Sequence, residues 1–189
     1  MSPGKPSILG LCGVARSGKD TFFHFLKEIN HRPLSRFAFA DELKKDLSPF
    51  LIEKLGIDPF TEDSVEKKII RPILVSYGEA MRNTSSGRYW ISKLEPLIKK
   101  SLEKNIIPVI TDVRYENEVD WINSMSNGLT VHLSRRGFFG ANKEEKLNDP
   151  IVKRKSSERI TLKNATDPSM LKRVFSSATN ELSDKYLRR

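Results

Sequence analysis

A glycine-rich segment near the start of the chain has the residue types and the spacing that bind phosphate. Residues 13–21 read GVARSGKDT, so two glycines five positions apart are followed directly by Lys19. Glycines let backbone amides turn towards phosphate oxygens, and a lysine at this position reaches the β- and γ-phosphates of a nucleotide. Because an apolar run precedes the segment and a helical pattern follows it, we predict a phosphate-binding loop here.

The residue after the lysine departs from the usual form of such a loop. Ser or Thr normally offers a hydroxyl to Mg²⁺ at this position, whereas this chain has Asp20. A carboxylate there can bind the metal directly or through water. Alternatively, it is only a first-turn carboxylate that the helix dipole favours. Both interpretations stay open, and Thr21 is the nearest hydroxyl.

Two aspartates each follow a short apolar run that predicts a strand. Residues 36–40 precede Asp41, and residues 106–111 precede Asp112. Ligands of doubly wound sheets gather at the carboxyl ends of the strands. If both strands neighbour the phosphate loop, Asp112 is placed to hold the water shell of Mg²⁺ and Asp41 to meet a phosphate acceptor or its sugar. A helix cap is the alternative for Asp41, and Arg114 can share the pocket edge with Asp112.

Two arginines share one stripe of a predicted helix. Arg71, Val75, Gly78 and Arg82 are spaced by four, three and four residues, which puts them on one helical face. Gly78 is expected to leave a gap between the guanidinium groups through which an anion approaches the backbone. Arginine is well suited to bidentate contact with phosphate. The alternative is a pair of surface arginines on a solvated face.

These residues need elements that bring them together, and the hydrophobic pattern alternates short apolar runs with amphipathic segments. The apolar runs predict strands at residues 7–12, 36–40, 106–111, 129–133 and 159–162. Helical periodicity predicts helices at residues 21–30, 41–55, 65–82, 87–104, 116–125 and 168–187. We expect a break near Pro49, and a kink or a fresh helix start at Pro72. The alternation predicts an α/β fold with a central parallel sheet of about five strands and helices on both faces.

Length and composition set the class of protein. At 189 residues, 38% hydrophobic and 30% charged, the chain is predicted to form a single globular domain over residues 1–189. Its apolar runs stop well short of the roughly 18 residues that suggest a membrane span, and its start does not resemble a signal peptide. The single cysteine, Cys12, lies in an apolar run and predicts a buried thiol in a reducing compartment. We therefore expect a cytoplasmic protein without a membrane partner.

The charge of the chain is positive and unevenly distributed. The net charge is +9, and 14 of the 33 basic residues but only 7 of the 24 acidic ones follow residue 131. This bias fits an anionic ligand, either a polynucleotide or a small phosphorylated molecule, or else an ordinary solvated surface. Residues 135–157 have no clean periodicity, and irregular segments of this length in compact domains are often lids or disordered loops. We expect them to form a lid.

Four parts of the chain together match a known family. They are residues 13–21 (GVARSGKDT), residues 39–45 (FADELKK), residues 110–118 (ITDVRYENE), and Arg71, Gly78, Glu79 and Arg82 with Trp90 beyond them. Taken in chain order, these parts resemble the deoxynucleoside monophosphate kinases of tailed bacteriophages. The resemblance runs from about residue 8 to residue 133 and more loosely to the final helix. Animal-type phosphomevalonate kinase is similar in its GKD loop, its Leu-Lys after the second strand and its Asp-x-Arg after the third.

The resemblance implies a P-loop NTPase fold and transfer of the γ-phosphoryl group of ATP, with Mg²⁺, to a deoxynucleoside 5'-monophosphate. The implied ATP-binding residues are Gly13, Ala15, Arg16, Ser17, Gly18, Lys19, Asp20, Thr21 and Asn164. The implied acceptor residues are Asp41, Lys44, Arg71, Arg82, Trp90 and Arg114. Lys19, Asp112, Arg135 and Arg136 are implied as catalytic, with Asp20 and Asp112 as metal ligands. Arg135 and Arg136 resemble lid arginines, and which of them reaches the phosphate is open.

Two other functions compete with this one. The first is a kinase of another small phosphorylated acceptor, such as phosphomevalonate, which differs in having no base to stack. The second is a nucleotide-dependent nucleic-acid-binding protein whose basic last third contacts the phosphate backbone. Against it, the basic residues lie in the segment expected to form a lid, where aromatic residues are confined to Phe138 and Phe139. We expect ATP and a monophosphate as ligands, no stable nucleic-acid complex, a monomer or homodimer, and the host cytoplasm if the chain is phage-encoded.

Overall fold

Strands and helices alternate along the chain. The computed structural model describes residues 7–140, 143–162 and 167–187, and all that follows concerns these. The strands are β1 (Ile8–Cys12), β2 (Leu34–Phe37), β3 (Ile107–Val113), β4 (Gly128–Arg135) and β5 (Glu158–Leu162). The helices are α1 (Lys19–Ile29), α2 (Phe39–Leu55), α3 (Ser64–Asn83), α4 (Tyr89–Glu103), α5 (Glu116–Ser124), α6 (Lys143–Lys155) and α7 (Pro168–Leu182), and a π-helical segment (Ser183–Leu187) follows α7. Within this part of the chain no helix is both long and apolar enough to cross a membrane.

The five strands form one parallel sheet in the order β2-β3-β1-β4-β5. The first strand therefore lies in the centre, where Leu9 pairs with Val109 of β3 and with Leu129 of β4. All five residues of β1 are buried, as expected for a strand covered on both faces. The predicted fold class and strand number are confirmed, with shifts of one to three residues at most strand ends.

The chain divides into two compact units, which we call the sheet unit (residues 7–37 and 98–187) and the helical unit (Ala38–Leu97). In the sheet unit, α1 and α7 cover one face, where Phe25 stacks on Phe175 with ring centroids 5.8 Å apart. Side chains alternate between faces along a strand, so α5 covers the opposite face at Gly10. An added Cβ there would lie 2.6 Å from Cδ1 of Ile122, which explains the glycine.

In the helical unit, α2 packs against α3 around an apolar cluster that includes Leu51 and Ile70. Gly78 of α3 is buried, and a Cβ there would lie only 2.6 Å from Cδ1 of Leu43 on α2. The expectation of an open gap at Gly78 is therefore wrong. The missing side chain admits a neighbouring helix rather than an anion.

A polar cluster also holds the helical unit together. The carboxylate of Asp46 on α2 accepts hydrogen bonds from Lys93 Nζ at 2.7 Å and from the hydroxyls of Tyr89 at 2.7 Å and Tyr77 at 3.4 Å. Burial raises the pKa of Asp46, but these hydrogen bonds outweigh it and leave the pKa lowered. Burial also raises the pKa of Tyr77 to about 12. The cluster thus joins α2, α3 and α4 through one ionised carboxylate.

Two expectations about regular structure are wrong for physical reasons. Pro49 and Pro72 lie inside the continuous helices α2 and α3, so the expected break at Pro49 and the fresh start at Pro72 are wrong, while a kink at Pro72 stays a prediction. Both prolines are exposed, so water can satisfy the carbonyl that each leaves unpaired one turn earlier. The segment expected to lack periodic structure contains α6. That helix buries one aliphatic side chain, Val152, and is anchored mainly by polar contacts, so its hydrophobic pattern is weak.

Candidate phosphate-binding site

The glycine-rich segment forms a tight loop between the end of β1 and the start of α1. Gly13 and Gly18 have φ angles of 123° and 99°, which other residues adopt only with strain. An added Cβ on Gly13 would lie 2.4 Å from the carbonyl oxygen of Leu133. Inside the loop, the amide of Ser17 donates to the carbonyl of Val14 at 3.2 Å. Both glycines are thus required by conformation, as predicted from their spacing.

One non-glycine residue of the loop also has a left-handed backbone. Arg16 has a φ angle of 63° and an exposed side chain. A left-handed conformation costs an L-residue about 1–2 kcal/mol, and such strain is found chiefly where the surrounding structure enforces it, as in ligand-binding loops. Beside it, Ala15 is half-buried and Ser17 is fully buried. The backbone conformation of the loop is therefore enforced by the residues packed around it and not by the intrinsic conformational preference of Arg16.

Lys19 is the first residue of α1, and its side chain turns back over the loop. Its Nζ donates hydrogen bonds to the carbonyl oxygens of Gly13 and Val14, each at 2.7 Å, and lies 3.5 Å from Ser17 Oγ. The residue is 7% exposed. A buried ammonium group that spans a loop of this kind is placed to meet an anion held by the same loop.

The surroundings of Lys19 contain charges of both signs. Burial lowers the pKa of Lys19, and the positive charge of Arg114 lowers it further. Three carboxylates act in the opposite direction, and they belong to Asp112, Asp20 and Glu145. The charges of both predicted metal ligands therefore act on Lys19, as does that of Glu145, a carboxylate that we did not predict.

Asp20 lies in the first turn of α1 with its side chain 74% exposed. Its Oδ1 is 3.8 Å from Nε of Arg36, a long ion pair that contributes little at an exposed position. The neighbouring Thr21 is half-buried. This position suits a metal ligand and a helix-dipole carboxylate equally well, so the metal role of Asp20 stays a prediction.

Asp112 lies within β3 rather than just beyond it, so the expectation that it follows the strand is wrong. The strand extends to Val113 because Val113 pairs with Cys12 at the end of β1, past an irregularity in the register. The strand end is nonetheless beside the phosphate loop, since Val113 pairs with Cys12, the residue before Gly13. The preceding residue, Thr111, has a buried hydroxyl oxygen without a hydrogen-bond partner among the described residues. Buried polar atoms are usually paired, so an unpaired one beside this loop is notable.

Arg114 follows β3 and is tied to two glutamates. Its backbone amide donates to Glu118 Oε2 at 2.8 Å, which caps the start of α5. Its guanidinium Nη1 donates to Glu145 Oε1 of α6 at 2.6 Å. The spacing from Tyr115 to Glu118 is that of a capping box and was available in the sequence. No sequence signal links Arg114 to Glu145, which is 31 residues away.

The two expected lid arginines lie at the end of β4. Arg135 is the last residue of the strand, and its guanidinium carbon is 4.7 Å from the ring centroid of Phe138. Arg136 begins the exposed turn that follows. Their catalytic role stays a prediction. Asn164, expected to contact adenine, lies outside the described residues.

Buried polar groups lie behind the loop, on β1 and β4. His132 is 2% exposed, and its Nε2 is 2.9 Å from Asp149 Oδ1 on α6, while its Nδ1 is 3.2 Å from Ser134 Oγ. Burial raises the pKa of Cys12 to about 12, so this thiol stays protonated and unreactive. The expectation that Cys12 is buried is confirmed. We did not predict the pair of His132 and Asp149, which holds α6 on the sheet unit.

The predicted acceptor residues are divided between the units: Arg114 belongs to the sheet unit and the rest to the helical unit. Asp41 does not cap a helix, because α2 begins at Phe39 with Ala38 before it, so Asp41 lies in the first turn. Nζ of Lys44 is 5.0 Å from the ring centroid of Phe60. On α3, Arg71 is exposed and Arg82 half-buried. These positions leave the acceptor assignments as predictions.

Trp90, an implied acceptor residue and one of the aromatic side chains available to stack on a base, is 2% exposed. Its ring is edge-on to Tyr89 and Tyr77, with centroids 4.8 and 6.0 Å away, and its Nε1 donates to the carbonyl of Gly78 at 3.1 Å. In this structure Trp90 therefore packs the helical unit, and stacking on a base stays a prediction.

Comparison with known proteins identifies the fold. Dephospho-CoA kinase from Campylobacter jejuni is similar with a TM-score of 0.54 and 12% identity, over 95% of this chain and 98% of that chain. Shikimate kinase from Acinetobacter baumannii is 13% identical, with a TM-score of 0.46, over 95% of each chain. Thymidylate kinase from Ehrlichia chaffeensis is 16% identical, with a TM-score of 0.47, over 95% of this chain and 100% of its own. The last two TM-scores are too low to carry an argument.

No protein-family model matches the chain, and no curated protein matches it significantly. At 12% identity, the likeness to dephospho-CoA kinase shows the fold alone. The parallel sheet and the glycine loop between β1 and α1 agree with this likeness. The chain has the α/β fold of P-loop kinases.

Proposed function

We propose that this protein is a kinase that transfers the γ-phosphoryl group of ATP to a deoxynucleoside 5'-monophosphate. The observation that carries the proposal is the placement of Lys19, whose buried ammonium spans a glycine loop beside the carboxylate of Asp112. The likeness of the fold to a small-molecule kinase supports phosphoryl transfer. The choice of a deoxynucleotide acceptor rests on the sequence motifs that resemble phage deoxynucleoside monophosphate kinases.

The residues present fit ATP with Mg²⁺. The positive φ angles of Gly13 and Gly18 give the loop the kind of conformation whose backbone amides can face an anion, and the buried Nζ of Lys19 lies against the loop. Asp20 and Asp112 would hold Mg²⁺, which neutralises charge that develops on the phosphates. Among the described residues no cluster of three or more His, Cys, Asp or Glu is arranged to hold a metal. This favours a metal shared with the nucleotide, the usual arrangement for Mg²⁺ in kinases.

Phosphoryl transfer of this type needs positioning and positive charge rather than covalent chemistry from the protein. In our proposal, the amides of the glycine loop orient the phosphates, and Lys19 leaves its two carbonyl partners to contact the β- and γ-phosphates. Arg135 and Arg136 stabilise the transferring group, and residues 135–157 act as a lid that excludes water. On this view residues 1–189 function as one kinase domain.

The acceptor is proposed to be held by arginines. Arg114, beside the phosphate loop, is the proposed contact for its monophosphate, and Arg71 and Arg82 stay proposed acceptor residues, because guanidinium groups bind phosphate in a bidentate manner. Asp41 and Lys44 would contact its sugar and phosphate. If this assignment is right, replacing one of these residues changes the KM for the acceptor and leaves the KM for ATP nearly unchanged.

A second candidate is a kinase of a phosphorylated acceptor that has no base, such as phosphomevalonate. One observation favours it: Trp90, the aromatic residue among the implied acceptor residues, is 2% exposed and packed against two tyrosines. An acceptor without a ring would need no exposed aromatic side chain there. The chemistry at Lys19 would be the same for both acceptors.

The deciding experiment measures ADP release, by a coupled assay, with ATP and Mg²⁺ against a panel of deoxynucleoside monophosphates, ribonucleoside monophosphates and phosphomevalonate. We expect turnover with at least one deoxynucleotide. Turnover with phosphomevalonate alone would establish the second candidate instead. Added duplex DNA is expected to leave the rate unchanged, whereas strong stimulation would favour a nucleic-acid-dependent enzyme.

A pair of variants tests the phosphate loop itself. Replacement of Lys19 by Met removes the ammonium with little change in side-chain length, and should lower the rate roughly a hundredfold or more. The matched control is Lys27→Met, in the last turn of the same helix, where the side chain is exposed. Near-full activity in folded Lys19→Met protein would refute the assignment of the loop.

A further inference from the structure

A carboxylate on α6 forms an ion pair with the arginine that we assign to the acceptor's phosphate. Glu145 is 8% exposed, and its Oε1 accepts from Nη1 of Arg114 at 2.6 Å. The side chain of Arg114 is 43% exposed, so a ligand can approach this residue from solvent. A carboxylate and a phosphate monoester bind guanidinium in the same way, through oxygens in the plane of the nitrogens.

The same carboxylate also acts on the phosphate loop. Its charge raises the pKa of Lys19, against the lowering by burial and by Arg114. Glu145 is therefore close enough to influence two cations that face the proposed phosphates. Positive charges that are partly removed from water need a counter-charge, and Glu145 contributes one within the protein itself.

The docking of α6 does not depend on Glu145 alone. The hydroxyl of Tyr115 donates to Glu144, and His132 lies 2.9 Å from Asp149 Oδ1 on the next turn. At the far end of the helix, Lys155 Nζ bonds Asp120 on α5 at 2.7 Å. These contacts can keep α6 in place while the side chain of Glu145 changes partner.

We propose that Glu145 competes with the acceptor's phosphate for Arg114, and that it keeps the phosphate off this arginine until the acceptor displaces it. This inference rests on the proposed function, because it takes Arg114 as the acceptor's arginine. Once the phosphate dianion binds, the carboxylate becomes a like charge beside it and must turn away. Glu145 thus sets the affinity for the acceptor without contributing to phosphoryl transfer.

The test compares the variants Glu145→Gln and Glu144→Gln by calorimetric titration and steady-state kinetics. Glu145→Gln keeps the shape of the side chain and removes the charge, so the Kd and KM for the acceptor should fall about tenfold while kcat changes little. Glu144→Gln removes the same charge one residue earlier and should change acceptor binding by no more than about twofold. If Glu145→Gln folds poorly, Glu145→Ala replaces it and should tighten acceptor binding in the same way.

The double variant Arg114→Ala/Glu145→Gln shows whether the gain passes through Arg114. It should bind the acceptor no more tightly than Arg114→Ala alone, as expected for two residues coupled by direct contact. Unchanged or weaker acceptor binding in Glu145→Gln would overturn the proposal. In the case of weaker binding, Glu145 would instead position Arg114 for the acceptor.

A titration with orthophosphate distinguishes failure of this inference from failure of the proposed function. Orthophosphate binding to the intact protein can be titrated whether or not any deoxynucleotide turns over. If no monophosphate on the panel reacts but orthophosphate binds more tightly to Glu145→Gln in an Arg114-dependent way, the deoxynucleotide assignment fails and the competitor role stands. If turnover is normal and neither ligand responds to the variant, the competitor role fails alone.

Discussion

Replacement of Gly13 by alanine should damage the phosphate loop in two separate ways. Its φ angle of 123° is unfavourable for alanine, and the new Cβ would lie 2.4 Å from the carbonyl oxygen of Leu133. That oxygen belongs to β4, which is paired with β1 on one side and β5 on the other, so it cannot move aside cheaply. Strain and overlap together should cost about 2–5 kcal/mol of unfolding free energy.

Gly56 offers a matched control. It also has a positive φ angle, 66°, but nothing lies within 4 Å of an added Cβ. Gly56→Ala should therefore cost only the backbone strain, about 1–2 kcal/mol. Because domains are stable by only about 5–15 kcal/mol in total, the two variants should differ visibly in urea unfolding followed by circular dichroism.

The loop makes a functional readout possible as well. Gly13→Ala should weaken binding of ATP, measured by calorimetry below the unfolding transition, whereas Gly56→Ala should leave it unchanged. The reasoning would be refuted if the Gly13 variant were as stable as the Gly56 variant and bound ATP like the original chain. Either the loop would then have another conformation, or β4 would be free to retreat.

Three further variants test other parts of the assignment. If Asp20 handles Mg²⁺, Asp20→Ala should raise the Mg²⁺ concentration needed for half-maximal activity far more than it weakens metal-free ATP binding, and an unchanged requirement would favour the helix-dipole role. Arg82→Ala should raise the acceptor's KM about tenfold or more with little change for ATP, while Arg88→Ala, an exposed residue paired with Glu95, should change neither; the reverse pattern would mean that the two sites are interchanged. Asp46→Asn should cost about 1.5–3 kcal/mol of stability at neutral pH, because the ionised carboxylate accepts from Lys93 and two tyrosines. Since the pKa of Asp46 is lowered on folding, this contribution is present above its unfolded pKa of about 3.9 and is lost as the pH falls through the folded pKa, so acid titration of both proteins should bring their stabilities together.

The strand, loop and helix around Lys19 could be predicted because the information is local. Gly13 and Gly18 report the backbone conformation directly, and a buried run before them with an amphipathic one after them specifies the elements. The strand alternation gave the parallel sheet for the same reason, with errors at the ends. Asp112 was misplaced only because the pairing of Cys12 with Val113 extends β3, which depends on a distant strand.

The features that escaped prediction depend on contacts between distant residues. Helix α6 buries Val152 and otherwise relies on polar contacts such as His132 with Asp149, which no periodicity reveals. Gly78 was interpreted as an opening, but only the packing of α2 on α3 shows that Leu43 fills it. The ion pair of Arg114 with Glu145 likewise depends on the packing of α6 against α5.

The central position of β1 has a consequence for how the protein is made. Although β1 leaves the ribosome before the other four strands of this sheet, its Leu9 pairs with Val109 and Leu129, so each pairing closes a loop of about 100 residues or more. Such non-local pairing is slow, because the entropy of closure is lost before the contacts compensate for it. A nascent chain that ends before β4 also lacks Leu133, against which Gly13 packs. If the loop binds ATP as proposed, ATP cannot assist the early stages of folding, because the loop lacks its contact with Leu133 until β4 has been synthesised.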